Sequence, residues 1–421
     1  MTTVDTYKHM MEAWKEDGNP FPAEAIRSGS NQPVYKDLFL DETQEFNRKF
    51  IRSGVIDGAH IGFLWSQGPG GDTGYGKTTM MQVAAEEING DLGIRTLTTC
   101  GVSQNRLVPI AAAYTNLNNL NAAGLYPVLH NAVIYAAEPR IDGKSIFDKA
   151  RERIVDQLGE DDASKIASHL LKTSLNVAPT ASPLRKELVS AFADNGGNDM
   201  LQTLAQVTET SRIRNGRQYL DFAIVVLAAA GIDHLFIFVD QLEDLATNKS
   251  VNSAKRSREI GRIRDFLEVE PYASRLHLIF TFHNNAARIL SQFWEPNRLP
   301  RFEIADDNTA SVVVLSGLHR DEQVEELLRV YLAEKRTEEV DDPLLPFEPS
   351  SASVLRTVSQ GRVGVLLTQA RELYNAVAER GLPMITGDFA TNYFRGQVGA
   401  VSEAVIEEPA NTDDIDDILL A

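Results

Sequence analysis

The chain has 421 residues, 43% hydrophobic and 24% charged, which supports a sizeable core and, at about 150 residues per domain, two or three domains. With 59 Asp+Glu against 41 Lys+Arg the formal charge is −18, which excludes a general positive coat for DNA or anionic membranes but leaves room for a local basic patch. A single cysteine, Cys100, excludes a disulfide within the chain and a cysteine-built zinc site.

The first stretch, MTTVDTYKHMMEAWKEDGNP, has no signal-peptide apolar core, and no apolar run approaches the roughly 20 residues of a membrane span. The expectation is a cytoplasmic protein with no membrane partner. Residues 1–45 form a polar N-terminal segment with turn signals at Gly18-Asn19-Pro20 and Ser28-Gly29-Ser30-Asn31. Residues 46–305 are expected to form an α/β domain. Its first strand is Ala59–Ser66, followed by a glycine-rich loop and a helix, MMQVAAEEI, that Asn89-Gly90 should end. A second short strand is predicted at Ile94–Thr99. Residues 101–233 read mainly as helices, a large insert nearly balanced in charge. His234–Val239 and Leu276–Phe282 are apolar on both faces, as strands buried in a helix-covered sheet require. Residues 306–395 carry helical periodicity. Val324, Leu327, Leu328, Tyr331 and Leu332 make one apolar face, and Leu366, Ala370, Leu373, Tyr374 and Val377 another. Residues 396–421 are expected to be an acidic flexible tail.

The loop after the first strand holds Gly71-Asp72-Thr73-Gly74-Tyr75-Gly76-Lys77-Thr78, which fits G-x-x-x-x-G-K-[ST] at every fixed position, with Thr79 next. A triphosphate needs a concave set of backbone N–H groups, and glycines let the chain turn tightly around it. The helix that follows points its positive dipole end at the anion. Lys77 then reaches the β- and γ-phosphates and the Thr78 hydroxyl ligates Mg²⁺. Leu235–Val239 is five apolar residues followed by Asp240, the Walker B pattern, which brings a carboxylate to the sheet edge to bind the metal through water. The residue after it, where many ATPases place a water-activating glutamate, is Gln241, which cannot act as a base. Glu243 is the nearest substitute and Asp244 the second.

This order of motifs resembles the AAA+ ATPases, above all the origin-recognition-type initiator branch and related DNA-transaction ATPases, over roughly 46–100 and 234–395. The resemblance implies a P-loop NTPase parallel sheet flanked by helices, with a C-terminal helical lid over 306–395 and Ser311–Leu315 as its fifth strand. It implies a polar sensor after the fourth strand, for which Asn284 fits, with Thr281 and His283 as alternatives. An arginine offered to a neighbouring subunit's nucleotide falls at Arg301, beside Phe302, or at Arg298. The lid arginine that touches the γ-phosphate is Arg362, displaced from the commonest spacing because it follows Gly361 directly. The insert of about 130 residues is longer than the family's usual connection.

Lys255, Arg256, Arg258, Arg262 and Arg264 cluster after Asp240, with Lys255, Arg258 and Arg262 on one helix face. They form a ridge for phosphate backbones or for a neighbouring subunit, or else a solvated face balanced by Glu259, Asp265 and Glu268. The tail joins Asp413, Asp414, Asp416 and Asp417 to Ile415, Ile418 and Leu419, which suits a partner-docking peptide or a solubilising end. The expected function is an Mg²⁺-ATP-dependent, self-associating switch or motor in a DNA transaction. The alternative is an ATP-locked scaffold that recruits a partner through its insert or tail.

Overall fold

The computed structural model describes residues 19–21, 38–58, 60–66, 74–116, 124–140, 142–173, 183–242, 245, 252–281, 290–294, 296, 299, 311–336 and 340–404. The chain divides into two compact units. One comprises residues 27–67 and 71–315, the other residues 1–26, 68–70 and 316–421.

The larger unit is built on five parallel strands, β1 (His60–Ser66), β2 (Ile110–Asn116), β3 (His234–Asp240), β4 (Leu276–Thr281) and β5 (Val312–Leu315), in the spatial order β2-β3-β4-β1-β5. Every described side chain of β1 and β4 is buried, as a sheet covered on both faces demands. Phe63 of β1 stacks on Phe280 of β4 at 6.2 Å and meets Trp294 edge-on at 5.7 Å. Because all strands run the same way, their C-terminal ends share one edge. The register there sets Asn116 opposite Asp240 and Leu64 opposite Thr281. Open parallel sheets bind ligands along that edge.

Among the described residues three short helical segments precede β1: α1 (Leu40–Phe46), a π-helical stretch (Asn47–Arg52) and α2 (Ser53–Asp57). Phe50 is fully buried against β1, and a Cβ on Gly62 would lie 2.6 Å from its ring. Gly62→Ala therefore overpacks the core. We expect a loss of about 2 kcal/mol in stability, read as a lower denaturant midpoint at unchanged slope. An unchanged midpoint would mean that the Phe50 ring swings aside freely.

Helix α3 (Lys77–Asp91) follows the loop after β1. It does not stop at Asn89-Gly90. It ends at Leu92 and Gly93, which take left-handed φ values of 55° and 75°. The strand predicted at Ile94–Thr99 is instead α4, a helix. Its two buried residues, Thr96 and Leu97, are adjacent and do not alternate, and the Thr98 hydroxyl donates to the Ile94 carbonyl one turn back. The second strand is β2, inside the stretch expected to be helical. It is an edge strand, and Asn89 covers its open side. The Asn89 amide donates to the Ala112 carbonyl at 2.8 Å and accepts from the Ala112 N–H at 2.9 Å. One side chain thus stands in for a neighbouring strand and blunts the edge.

Among the described residues six helices lie between β2 and β3, α5 (Leu125–Ala137), α6 (Ile146–Leu158), α7 (Ala163–Lys172), α8 (Pro183–Asn195), α9 (Gly197–Ala205) and α10 (Glu209–Ala229). The long α10 packs along α5, where Tyr219 meets His130 edge-on at 4.6 Å. Between β3 and β4 come α11 (Ser253–Glu268) and the short α12 (Tyr272–Arg275). Buried Glu259 of α11 accepts from the Leu125 N–H at 2.9 Å, so a carboxylate sits at the positive end of α5.

The smaller unit contains α13 (Asp321–Lys335), α14 (Pro349–Ser359), α15 (Val363–Arg380) and α16 (Gly387–Ala404). Both predicted apolar faces, on α13 and α15, are buried. Phe21, from the segment expected to be merely polar, is fully buried among Tyr331, Phe347 and Tyr374 with ring centroids 5.6–6.4 Å away. Asn19 holds the approach by donating to Asn375 Oδ1 at 2.7 Å. Helix α16 runs to Ala404, past residue 396 where the tail was expected to begin. The tail segment 405–421 lies outside the described residues.

Candidate functional site

Side chains from four parts of the sequence meet at the C-terminal edge of the sheet. Gly74 and Gly76 take φ values of 85° and 87°, left-handed geometry that only glycine adopts without strain, and they turn the chain from β1 into α3. The N-cap of α3 is Gly76, which has no side chain to cap it, so backbone N–H groups head this helix at the sheet edge. Buried Lys77 extends back to β1, where its ammonium donates to Ser66 Oγ at 2.7 Å. Thr78 donates its hydroxyl to Asp240 Oδ2 at 2.6 Å, which joins two motifs 162 residues apart.

Asp240 is only 2% exposed, so its charge needs compensating hydrogen bonds. Besides Thr78, Tyr114 of β2 donates to Oδ2 at 3.0 Å, and Thr281 of β4 donates to Oδ1. The Thr281 oxygen in turn accepts from the Gln241 N–H at 3.0 Å, while Gln241 takes a left-handed φ of 63°. Burial first, then the Asp240 charge and hydrogen bond, push the Tyr114 phenol well above its ordinary pKa, so it stays a donor throughout the physiological range.

Oxygen donors on a hydroxyl and a carboxylate are the chemistry that Mg²⁺ takes. Among the described residues no group of three or more His, Cys, Asp or Glu is placed to hold a metal ion. By the type of their donors Thr78 and Asp240 fit Mg²⁺, which takes few protein ligands and the rest from phosphate and water.

Of the sequence-predicted residues, Gly74, Tyr75, Gly76, Lys77, Thr78, Thr79 and Asp240 occupy this edge or the turn into it. Gly71, Asp72, Thr73, Glu243, Asp244, His283, Asn284, Arg298 and Arg301 lie outside the described residues. Arg362 is the N-cap residue of α15 in the smaller unit, and its Nε donates to the Ser359 carbonyl at 3.2 Å. Tyr114 is hidden in the sequence because its strand, β2, carries three alanines and reads as helix. The basic cluster on α11 is partly turned inward. Arg262 bonds Glu259 at 2.7 Å and lies 4.2 Å over the Tyr126 ring, and Arg256 donates to the Leu245 carbonyl at 3.1 Å. Arg258 and Arg264 pair with Glu259 and Glu268. Among the described residues no helix is long and apolar enough to cross a membrane.

The fold is α/β, a five-stranded parallel P-loop sheet flanked by helices. No protein-family model and no curated protein sequence matches the chain. Among solved structures it is similar to the ORC2 protein of Aeropyrum pernix in its ADPNP–ADP complexes, at 12% identity and TM-score 0.42, covering 90% of this chain and 70% of that one. It is also similar to the ORC1 protein of Aeropyrum pernix in complex with DNA, at 12% identity and TM-score 0.41, covering 88% of this chain and 69% of that one. The ADP form of ORC2 gives 10% identity and TM-score 0.38, covering 90% and 71%.

Proposed function

We propose that the chain is an AAA+ ATPase that binds and hydrolyses Mg²⁺-ATP and works as a self-associating switch or motor in a DNA transaction. The observation that carries the nucleotide part is the Thr78–Asp240 hydrogen bond, which unites the end of the phosphate loop with the end of β3. Lys77 binds the β- and γ-phosphates, and the N–H groups of the first turn of α3 donate to their oxygens. Thr78 and Asp240 hold Mg²⁺, which when bound neutralises charge on the β- and γ-oxygens. Thr281 and Gln241 fix Asp240 in orientation. Glu243 is assigned to deprotonating the attacking water. Asn284 and Arg362 sense the γ-phosphate, and Arg301 completes a neighbour's site.

The DNA transaction rests on the sequence resemblance. Replication initiation, transposition and antiviral defence are the processes it covers. With a net charge of −18, the DNA contact is local or is carried by a partner protein. One observation favours the scaffold alternative. The position after Asp240 holds Gln241, which cannot act as a base and whose buried Oε1 has no hydrogen-bond donor among the described residues.

Sizing the full chain with and without Mg²⁺-ATP beside labelled duplex DNA tests the reading, together with turnover in wild type and Glu243→Gln. We expect ATP-dependent growth in mass, DNA in the same fractions, and turnover lost in the variant. A persistent monomer without DNA, with equal and negligible turnover in both proteins, would select the scaffold.

A further inference from the structure

A carboxylate offers about four lone-pair positions on its two oxygens. At Asp240 three are filled by hydroxyls. Thr78 and Tyr114 share Oδ2, and Thr281 takes one position on Oδ1. Thr78 belongs to the phosphate loop, and Thr281 to β4 on one side of Asp240. Tyr114 stands on the other side. It comes from the edge strand β2, its ring 6.2 Å from Tyr135 of α5, and it closes the position on Oδ2 that Thr78 leaves. Among the described residues one position remains unfilled, on Oδ1.

We infer that Tyr114 is a positioning residue that sets the divalent-cation preference of this site, by restricting Asp240 to a single acceptor position on Oδ1. The inference rests on the reading of the site as one for Mg²⁺-nucleotide. Mg²⁺ gives up its waters reluctantly and accepts a carboxylate through one of them, which a single lone pair satisfies. Ca²⁺ takes six to eight oxygens and readily uses both oxygens of a carboxylate. A phenol hydroxyl on Oδ2 obstructs that second mode. Removing it releases carboxylate charge that benefits Ca²⁺ more than Mg²⁺.

The test titrates a fluorescent ATP analogue into the full chain in EDTA and across Mg²⁺ and Ca²⁺ series. It compares wild type with Tyr114→Phe, and with Tyr114→Met in case the phenylalanine variant does not fold. The readout is the ratio of half-saturating Ca²⁺ to half-saturating Mg²⁺. Loss of one hydrogen bond to a charged group should lower that ratio about fivefold to tenfold. Tyr135→Phe removes a neighbouring hydroxyl that does not bond Asp240, and it should leave the ratio where it is. An unchanged ratio in the Tyr114 variants, or an equal shift in Tyr135→Phe, overturns the inference while Mg²⁺ still tightens nucleotide binding. Wild type indifferent to Mg²⁺ would instead overturn the reading of the site, and the inference with it.

Discussion

Lys77→Ala is expected to weaken ATP binding by about a hundredfold or more, without lowering the stability of the nucleotide-free protein. The first half follows from burial. The ammonium is held 2.7 Å from Ser66 Oγ with little water around it, so a phosphate reaching it gains charge-assisted hydrogen bonds in a low-dielectric setting. Such bonds contribute about 1.5–3 kcal/mol each, and one or two of them account for the hundredfold. The second half has the same cause with opposite sign. Keeping an ammonium largely out of water is costly to the empty protein, and alanine removes that cost along with some packing. Nucleotide titration and a melt of the empty protein measure the two halves separately. Undiminished binding in Lys77→Ala would end the reading of this loop as a phosphate cradle. Normal loss of binding with a large loss of stability would make Lys77 a structural residue first.

The parts legible in the sequence are those where function and local pattern coincide. The Gly-Lys-Thr turn between strand and helix, and the apolar runs ending at Asp240 and Thr281, announce themselves because a few adjacent residues fix both conformation and chemistry. The parts not legible depend on partners far along the chain. The β2 sequence, IAAAYTN, holds three alanines, the best helix formers, and is a strand because β3 pairs with it on one side and Asn89 seals the other. That misreading concealed Tyr114, whose partner Asp240 lies 126 residues away. Asn89-Gly90 looks like a helix stop, but the asparagine serves the sheet edge and the helix runs on. Phe21 sits in a polar context and becomes a core residue only against α13 and α15. The arginines of α11 form a ridge in projection. Tyr126 and the Leu245 carbonyl, distant or off the helix, draw two of them inward.

Asp240→Asn should abolish the effect of Mg²⁺ on nucleotide binding and cut turnover by about a thousandfold, while the empty protein melts within a few degrees of wild type. Asparagine keeps the size of the side chain, so packing at this 2% exposed position survives. The hydroxyls of Thr78, Tyr114 and Thr281 donate to the carboxylate, and each hydroxyl can also accept. Rotation lets them meet an amide, at a net change of about 1 kcal/mol because a buried charge disappears as its hydrogen bonds weaken. What rotation cannot restore is the negative charge that holds a divalent cation beside the phosphates. Nucleotide affinity in EDTA should therefore stay near that of wild type, with added Mg²⁺ making no difference. The contrast with Lys77→Ala, which loses affinity in EDTA and in Mg²⁺ alike, separates the residue that binds phosphate from the one that binds metal. If Asp240→Asn kept its response to Mg²⁺, the cation would have to be held by other residues, and the hydroxyl cluster around Asp240 would be a structural brace at the end of β3.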